Sequence, residues 1–227
     1  MGLSIAVPIL GPPAVGKTTL TLRVGAGPTR RVFRLREHVP VDVLAATASS
    51  PDRLGWLEDS VVEPTVRRYL ERAAEDGNVH TILLDNFPGT DIQATMLIEL
   101  LRELAPQCTL KPIELTLDER TRRHRARERR VCFSCEKDPI SDPRIPVEGS
   151  VADRGNCPRC GNQLHPRRGD APSLYAARSR RHSDATDAIR ESFISAGYSV
   201  VTLEADGEPT VVARLFESAL INRRQIA

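Results

Sequence analysis

Eight consecutive residues, Gly11-Pro-Pro-Ala-Val-Gly16-Lys17-Thr18, constrain this chain more than any other stretch. The spacing G-x-x-x-x-G-K-[ST] sets both a backbone path and a ligand. The short apolar run Ile5 to Leu10 precedes it and Thr18 to Val24 can open a helix, so the order is strand, glycine loop, helix. Gly11 and Gly16 let the backbone curl until successive N–H groups point into one hollow, a nest for phosphate oxygens reinforced by the helix N-terminus. Lys17 then supplies a cation for the outer phosphates, and Thr18 a hydroxyl for Mg²⁺. A chance glycine-rich turn would not need the strand and helix on either side. Pro8 complicates the picture: it cannot donate to a sheet ladder, so the strand tolerates a missing bond or begins later.

With 227 residues and 40% apolar content, the chain can bury one sizeable core with one or two small appendages. Its formal charge of +2 argues neither for nor against nucleic acid. The start Met-Gly-Leu-Ser lacks a basic leader with a long apolar core, and no apolar run reaches membrane-spanning length, so a cytoplasmic monomer with no membrane partner is expected.

Gly25-Ala-Gly-Pro28 breaks the chain after the first helix, and Arg30 to Arg36 reads as a short cationic strand. A Ser49-Ser50-Pro51 turn precedes Trp56. Val62, Val66, Tyr69, Leu70 and Ala73 recur at helical spacing, placing a helix over Val61 to Ala74. Val79 to Leu84 is dense and apolar, the pattern of a strand buried on both faces, and Asp85 stands at its C-terminal end, where open α/β sheets place ligands. The period predicts a helix from Ile92 to Leu104, then a strand from Leu110 to Leu117. Arg120 to Arg130 holds seven arginines, of which a helix can point only about half into one cleft. The others belong to a solvated face with Glu119 and Glu128. From Cys132 to about Pro166 there is almost no core, the sign of a small separate module. A helix near Ala171 to Ala196, a strand at Tyr198 to Leu203 and a helix from Thr210 to Ile221 complete the chain. This alternation implies an α/β fold, a parallel sheet with helices on both faces, interrupted by an insert.

Four of the five cysteines form two C-x-x-C hooks, Cys132-Phe-Ser-Cys135 and Cys157-Pro-Arg-Cys160, separated by 21 residues. Each hook can offer both sulfurs to one ion from a tight turn, so together they complete a tetrahedral four-cysteine zinc site. A closed sulfur shell has no open position for water, so the metal is structural. Two disulfides would be the alternative in an oxidising compartment. Cys108 is left over and reads as a small buried apolar residue.

In its motifs and their order, the chain resembles the adenylate kinase family of nucleoside monophosphate kinases, in the zinc-lidded bacterial form. The resemblance rests on the loop Gly11 to Thr18 and on Leu83-Leu-Asp-Asn-Phe-Pro-Gly-Thr90 with Gln93-Ala94, similar to L-D-G-F-P-R-T followed by Q-A. It continues through Arg129-Arg-Val-Cys132, Leu164-His-Pro-Arg167 with Asp170 and Arg178, and Asp206-Gly207. It implies a P-loop NTPase fold with core segments 1–30, 76–128 and 168–227, an acceptor flap at 31–75 and a zinc lid at 129–167. It also implies transfer of the γ-phosphoryl of Mg-ATP to a nucleoside monophosphate. Gly11, Pro13, Ala14, Val15, Gly16, Lys17, Thr18 and Thr19 would hold ATP. Lys17, Arg129, Arg167 and Arg178 would surround the transferring group, with Arg125 a further ATP-side candidate. Asp85 would hold Mg²⁺ through water, Gln93 would read the acceptor base, and the backbone near Gly207 would touch adenine.

The departures gather on the acceptor side. Gly89 stands where the family has the arginine that clamps the monophosphate, and the T-G-D-x-x-R segment is replaced by Phe33-Arg-Leu-Arg-Glu-His38, whose Arg34 or Arg36 could offer a substitute cation. Asn86 replaces a glycine and Gly169 an aspartate. Restoring the arginine with Gly89→Arg is the natural way to regain AMP use if the site has only been stripped. Two other readings stay open: an ATP-binding regulatory protein that has given up transfer, and a zinc-ribbon nucleic-acid binder. The second has little support, because 4% aromatic content offers few stacking platforms beside the arginines.

Overall fold

A computed structural model describes residues 2–48, 56–136, 143–147 and 155–221. The Ser49-Ser50-Pro51 turn lies outside the described residues. Strand β1 (Ile5–Leu10) leads through the glycine loop into helix α1 (Lys17–Val24), and β2 (Arg30–Phe33) runs into a 3-10 turn at Leu35–Glu37. That turn ends the strand early: Glu37 donates its N–H to Arg34 O at 2.8 Å. Helix α2 (Val41–Ala48) follows, a short element that the sequence pattern does not announce, and then α3 (Asp59–Glu75), β3 (Thr81–Asp85) and α4 (Asp91–Leu104).

The strand expected over Leu110 to Leu117 is two pieces, β4 (Thr109–Leu110) and β5 (Ile113–Thr116), split at Lys111-Pro112. Helix α5 (Glu119–Glu128) carries most of the arginine cluster into a two-stranded antiparallel ribbon, β6 (Arg130–Val131) with β7 (His165–Pro166). After a 3-10 turn at Arg168–Asp170 come α6 (Pro172–Ser195), β8 (Val201–Glu204) and α7 (Pro209–Ile221).

The main sheet is parallel, with order β2-β3-β1-β5-β8 and β4 in line with β5 against β1. Pro8 therefore lies inside a central strand. Ile5 and Ala6 pair with Thr109 and Leu110, and Ile9 and Leu10 pair with Ile113 and Glu114, so the register is unbroken and Pro8 falls opposite Pro112. Ala6 O accepts the Lys111 N–H at 2.8 Å, and the side of β1 that Ala6 bonds on is also the side on which Pro8 lacks a donor. The missing bond is placed where the partner strand is itself interrupted.

Alternate residues of the strands feed two cores. Ala6, Leu10, Ile82 and Leu84 join Val66, Leu70, Leu97, Leu101 and Phe193 from α3, α4 and α6 on one face. Val7, Ile9 and Leu83 meet Leu20, Val24, Val212 and Phe216 from α1 and α7 on the other. Strand β3 is buried at every position, as its composition predicts. This packing brings the C-terminal ends of β1 and β3, with the loops after them, to one edge of the sheet. Among the described residues no helix is long and apolar enough to cross a membrane.

Candidate active site

The loop after β1 holds Gly11 at φ 134°, Ala14 at 62° and Gly16 at 114°. A Cβ on Gly11 would lie 2.5 Å from Leu115 O, so close approach to β5 requires glycine there. Gly16 caps α1 without a side-chain bond, leaving the first N–H groups of the helix to a ligand. Lys17 is buried, and its ammonium donates to Gly11 O at 2.5 Å and to Pro12 O at 2.9 Å. Burial pushes its pKa down to about 7; Asp85 opposes the shift, while Arg178, Arg129 and Arg167 add to it.

Asp85 ends β3 beside this loop. Its Oδ2 accepts from Arg34 Nε at 2.9 Å and from the Thr21 hydroxyl at 3.1 Å. Its Oδ1 is buried and has no hydrogen-bond partner among the described residues. Arg34 also donates to Thr21 Oγ1 at 3.2 Å and reaches Glu37 at 3.4 Å, so its side chain is committed to the floor of the site. Arg36 lies on the wall of the adjoining cavity.

That cavity, about 400 Å³, is lined by Gly11, Pro13 to Thr19, Asp85, Gly89, Gln93, Arg129, Arg167 and Arg178 among others. Arg129 makes a two-pronged pair with Asp170, Nε to Oδ2 at 2.6 Å and Nη2 to Oδ1 at 2.7 Å. Arg178 donates to Gly169 O at 3.0 Å and lies 3.6 Å from the same carboxylate. Asp170 thus aligns two cavity arginines, and Arg167, three residues before it, is buried in the same wall.

At the other end of the cavity, Asn86 occupies φ 61°, a left-handed conformation that asparagine tolerates better than most residues. Gln93 is engaged at both ends of its amide: its Oε1 accepts the Gly89 N–H at 3.0 Å and its Nε2 donates to Asp59 at 2.8 Å. Trp56 fills the space in front of Gly89, where a Cβ would come within 2.4 Å of Cη2 of the indole. His182 faces the same cavity from α6, its pKa pushed down to about 4 by burial, with Lys17 and Arg122 acting in the same direction.

The four cysteines sit beside the β6–β7 ribbon with all Sγ atoms within 4.8 Å of one another. Cys132 and Cys160 are 3.5 Å apart and Cys135 and Cys157 3.7 Å. A tetrahedron with metal–sulfur bonds of about 2.3 Å has edges of about 3.8 Å, whereas a disulfide needs about 2.05 Å. The donor set therefore fits zinc. Val147 and Leu164 pack on Cys132 and Cys157, the small apolar cluster of this module among the described residues.

Three expected site residues lie outside the cavity wall: Arg34, held by Asp85; Arg125, which donates to Val15 O at 3.3 Å; and Gly207, in the turn between β8 and α7. Arg120, Arg123 and Arg127 are exposed on α5, with Arg123 paired to Glu119, as half of the cluster is expected to be. Cys108 is half-buried, its thiol pushed up to about 12 by burial. Arg181, His182 and Arg144 line the cavity without having been singled out in the sequence. For the first two a signal existed: Leu174, Arg178, Arg181, His182 and Ala185 mark one face of α6.

A glycine loop at the C-terminal edge of a parallel sheet, faced by arginines and a four-cysteine module, defines a nucleotide-binding α/β protein of the P-loop type. None of the protein-family models matches the chain. It is 30% identical over 207 residues to the adenylate kinase of Salinispora tropica, covering 88% of this chain and 90% of that protein. It is also 25% identical over 196 residues to that of Bacillus cereus strain B4264, covering 84% and 87%, and 24% identical over 196 residues to that of Bacillus thuringiensis strain Al Hakam, with the same coverage. The chain belongs to the adenylate kinase family.

Proposed function

We propose that this protein transfers the γ-phosphoryl group of Mg-ATP to a nucleoside monophosphate, with an acceptor site rebuilt relative to its relatives. The carrying observation is that Lys17, Asp85, Arg129, Arg167 and Arg178 converge on one cavity that also exposes the uncapped start of α1. Phosphoryl transfer asks little covalent work of a protein. It needs cations aimed at the transferring oxygens and water kept out, and one such arginine can contribute about 10³ to 10⁵ in rate. In this reading Gly11 to Thr19 hold the triphosphate, Lys17 exchanges its loop carbonyls for phosphate oxygens, and Arg129, Arg167 and Arg178 surround the group in flight. Asp170 keeps two of them in register. Thr18 and the open Oδ1 of Asp85 fit a hydrated Mg²⁺, which when bound neutralises charge on the phosphates. Segments 129–167 act as lid and 31–75 as acceptor flap. The Arg144–Glu37 contact at 3.2 Å already joins the two across the cavity.

The relatives are named as kinases, which leaves the regulatory and nucleic-acid readings with less support. A screen of AMP, GMP, CMP, UMP and dTMP with Mg-ATP tests the proposal. Diphosphate formation with at least one acceptor is expected; none with any of the five would refute it.

A further inference from the structure

Residues from three distant segments stack at one wall of the cavity. The six-membered ring of Trp56 abuts Gly89, with prospective Cβ contacts of 2.4, 3.2 and 3.3 Å to Cη2, Cζ3 and Cζ2. The guanidinium carbon of Arg181 lies over the indole, 3.8 Å from its centroid. Trp56, Gly89 and Arg181 all line the cavity. Arg181 follows Arg178 by three residues on α6, so the two side chains leave the same face about one turn apart. Arg178 faces the glycine loop end, and Arg181 the end bounded by Trp56 and Gly89.

The arginines differ in what they hold. Arg34 is engaged by Asp85, and Arg129 by Asp170. Among the described residues no carboxylate lies within ion-pair distance of Arg181, although its surroundings are dry enough that burial lowers its pKa. The indole face engages the guanidinium through its carbon, and among the described residues its N–H groups have no ion-pair partner, so they stay available to two oxygens of one phosphate. Residue 89 cannot supply that cation, because Trp56 excludes any side chain there. Gln93, held at both ends of its amide, cannot take over the role.

We propose that Arg181, laid on Trp56, is the phosphate-binding cation of the acceptor subsite, and that its ligand is the phosphate of a nucleoside 5′-monophosphate. This rests on the phosphoryl-transfer reading for the identity of the ligand. Trp56 then has two functions: it holds Arg181 at this wall of the cavity, and it compels glycine at 89.

Trp56 is the single tryptophan of the chain, so intrinsic fluorescence reports from this subsite. Titration of the full chain with AMP, GMP, CMP, UMP and dTMP is expected to give a saturable emission change with at least one. The matching nucleoside should bind about tenfold or more weakly. In Arg181→Ala the monophosphate Kd should rise about ten- to a hundredfold, with nucleoside and ATP affinities, the latter by calorimetry, within about twofold of wild type. Arg181→Lys keeps the charge without the planar fork and should fall between. If Arg181→Ala weakens nucleoside and monophosphate equally, the arginine only packs and the proposal falls; it falls too if none of the five moves the emission. Diphosphate formation measured in parallel separates the two claims. Transfer with an unchanged acceptor KM in Arg181→Ala overturns the Arg181 assignment alone, while Arg181-dependent binding without transfer overturns the kinase reading alone.

Discussion

Arg34, the residue after β2, closes on Asp85 at the end of β3 through a 2.9 Å contact to Oδ2, so this carboxylate carries a guanidinium on one oxygen and, among the described residues, no partner on the other. The Asp85 side chain is 3% exposed and that of Arg34 12%, which makes the pair an internal one.

Removing Arg34 strands a buried charge. Arg34→Ala is expected to destabilise the fold by about 3–5 kcal/mol in urea melts. Arg34→Leu combined with Asp85→Leu should cost less than either single change. Millimolar Mg²⁺ should raise the Tm of Arg34→Ala more than that of wild type, because the ion then supplies the counter-charge that the carboxylate has lost. No shift in either protein would argue against Asp85 as part of the magnesium site.

Lys17 sets a proton linkage of calculable sign. Its ordinary pKa of 10.5 falls to about 7 in the folded chain. Between those values the unfolded chain holds the proton and the folded one does not, so nucleotide-free stability should rise with pH through the window and level off below about 7. The rise should be missing in Lys17→Met. Triphosphate oxygens favour the ammonium, so ATP binding near pH 8 should take up a proton, visible as a buffer-dependent calorimetric enthalpy. Lys17→Ala should lower turnover by at least about 10³.

Gly89→Arg does not regain AMP use in this geometry, because its Cβ would enter the Trp56 ring. Even Gly89→Ala should destabilise by about 1–3 kcal/mol. Combining it with Trp56→Ala should relieve most of that loss, and only Gly89→Arg with Trp56→Ala has room for the new guanidinium. Improved AMP turnover by Gly89→Arg alone would contradict the packing.

One zinc per chain is expected by elemental analysis. Chelation, or Cys157→Ser, should open segment 129–167 to limited proteolysis while the sheet retains its circular dichroism. Among the described residues, the apolar cluster of this module is Val147, Leu164 and two cysteines, too little surface to hold it without metal.

What could be read from the sequence is what neighbours along the chain decide. The strand, loop and helix around Lys17 follow from local spacing, and the two cysteine hooks reveal their ion through the interval within each pair. The buried run before Asp85 announces a strand covered on both faces. What could not be read depends on partners brought together by folding. Asp85 meets Arg34 from 51 residues away, and Gln93 is captured by Asp59. Trp56 comes to rest on Gly89, so a missing arginine in the sequence is an occupied volume in the fold. Helix α2 is not legible in the sequence because Val41 to Ala48 is short and flanked by no cap that stands out.

Pro8 lacks the N–H that would point to this neighbour, which leaves one empty rung on that side of β1, and the glycine loop springs from β1 just beyond it. Above the gap, the Ile9–Ile113 and Leu10–Glu114 pairings and the close approach of Gly11 to Leu115 moor the phosphate cradle to that neighbour. The ladder on this flank is therefore weakest at Pro8, while pairing with β3 runs past it unbroken, so a tilt of the cradle as charge arrives or leaves meets less resistance on the β5 side than on the β3 side.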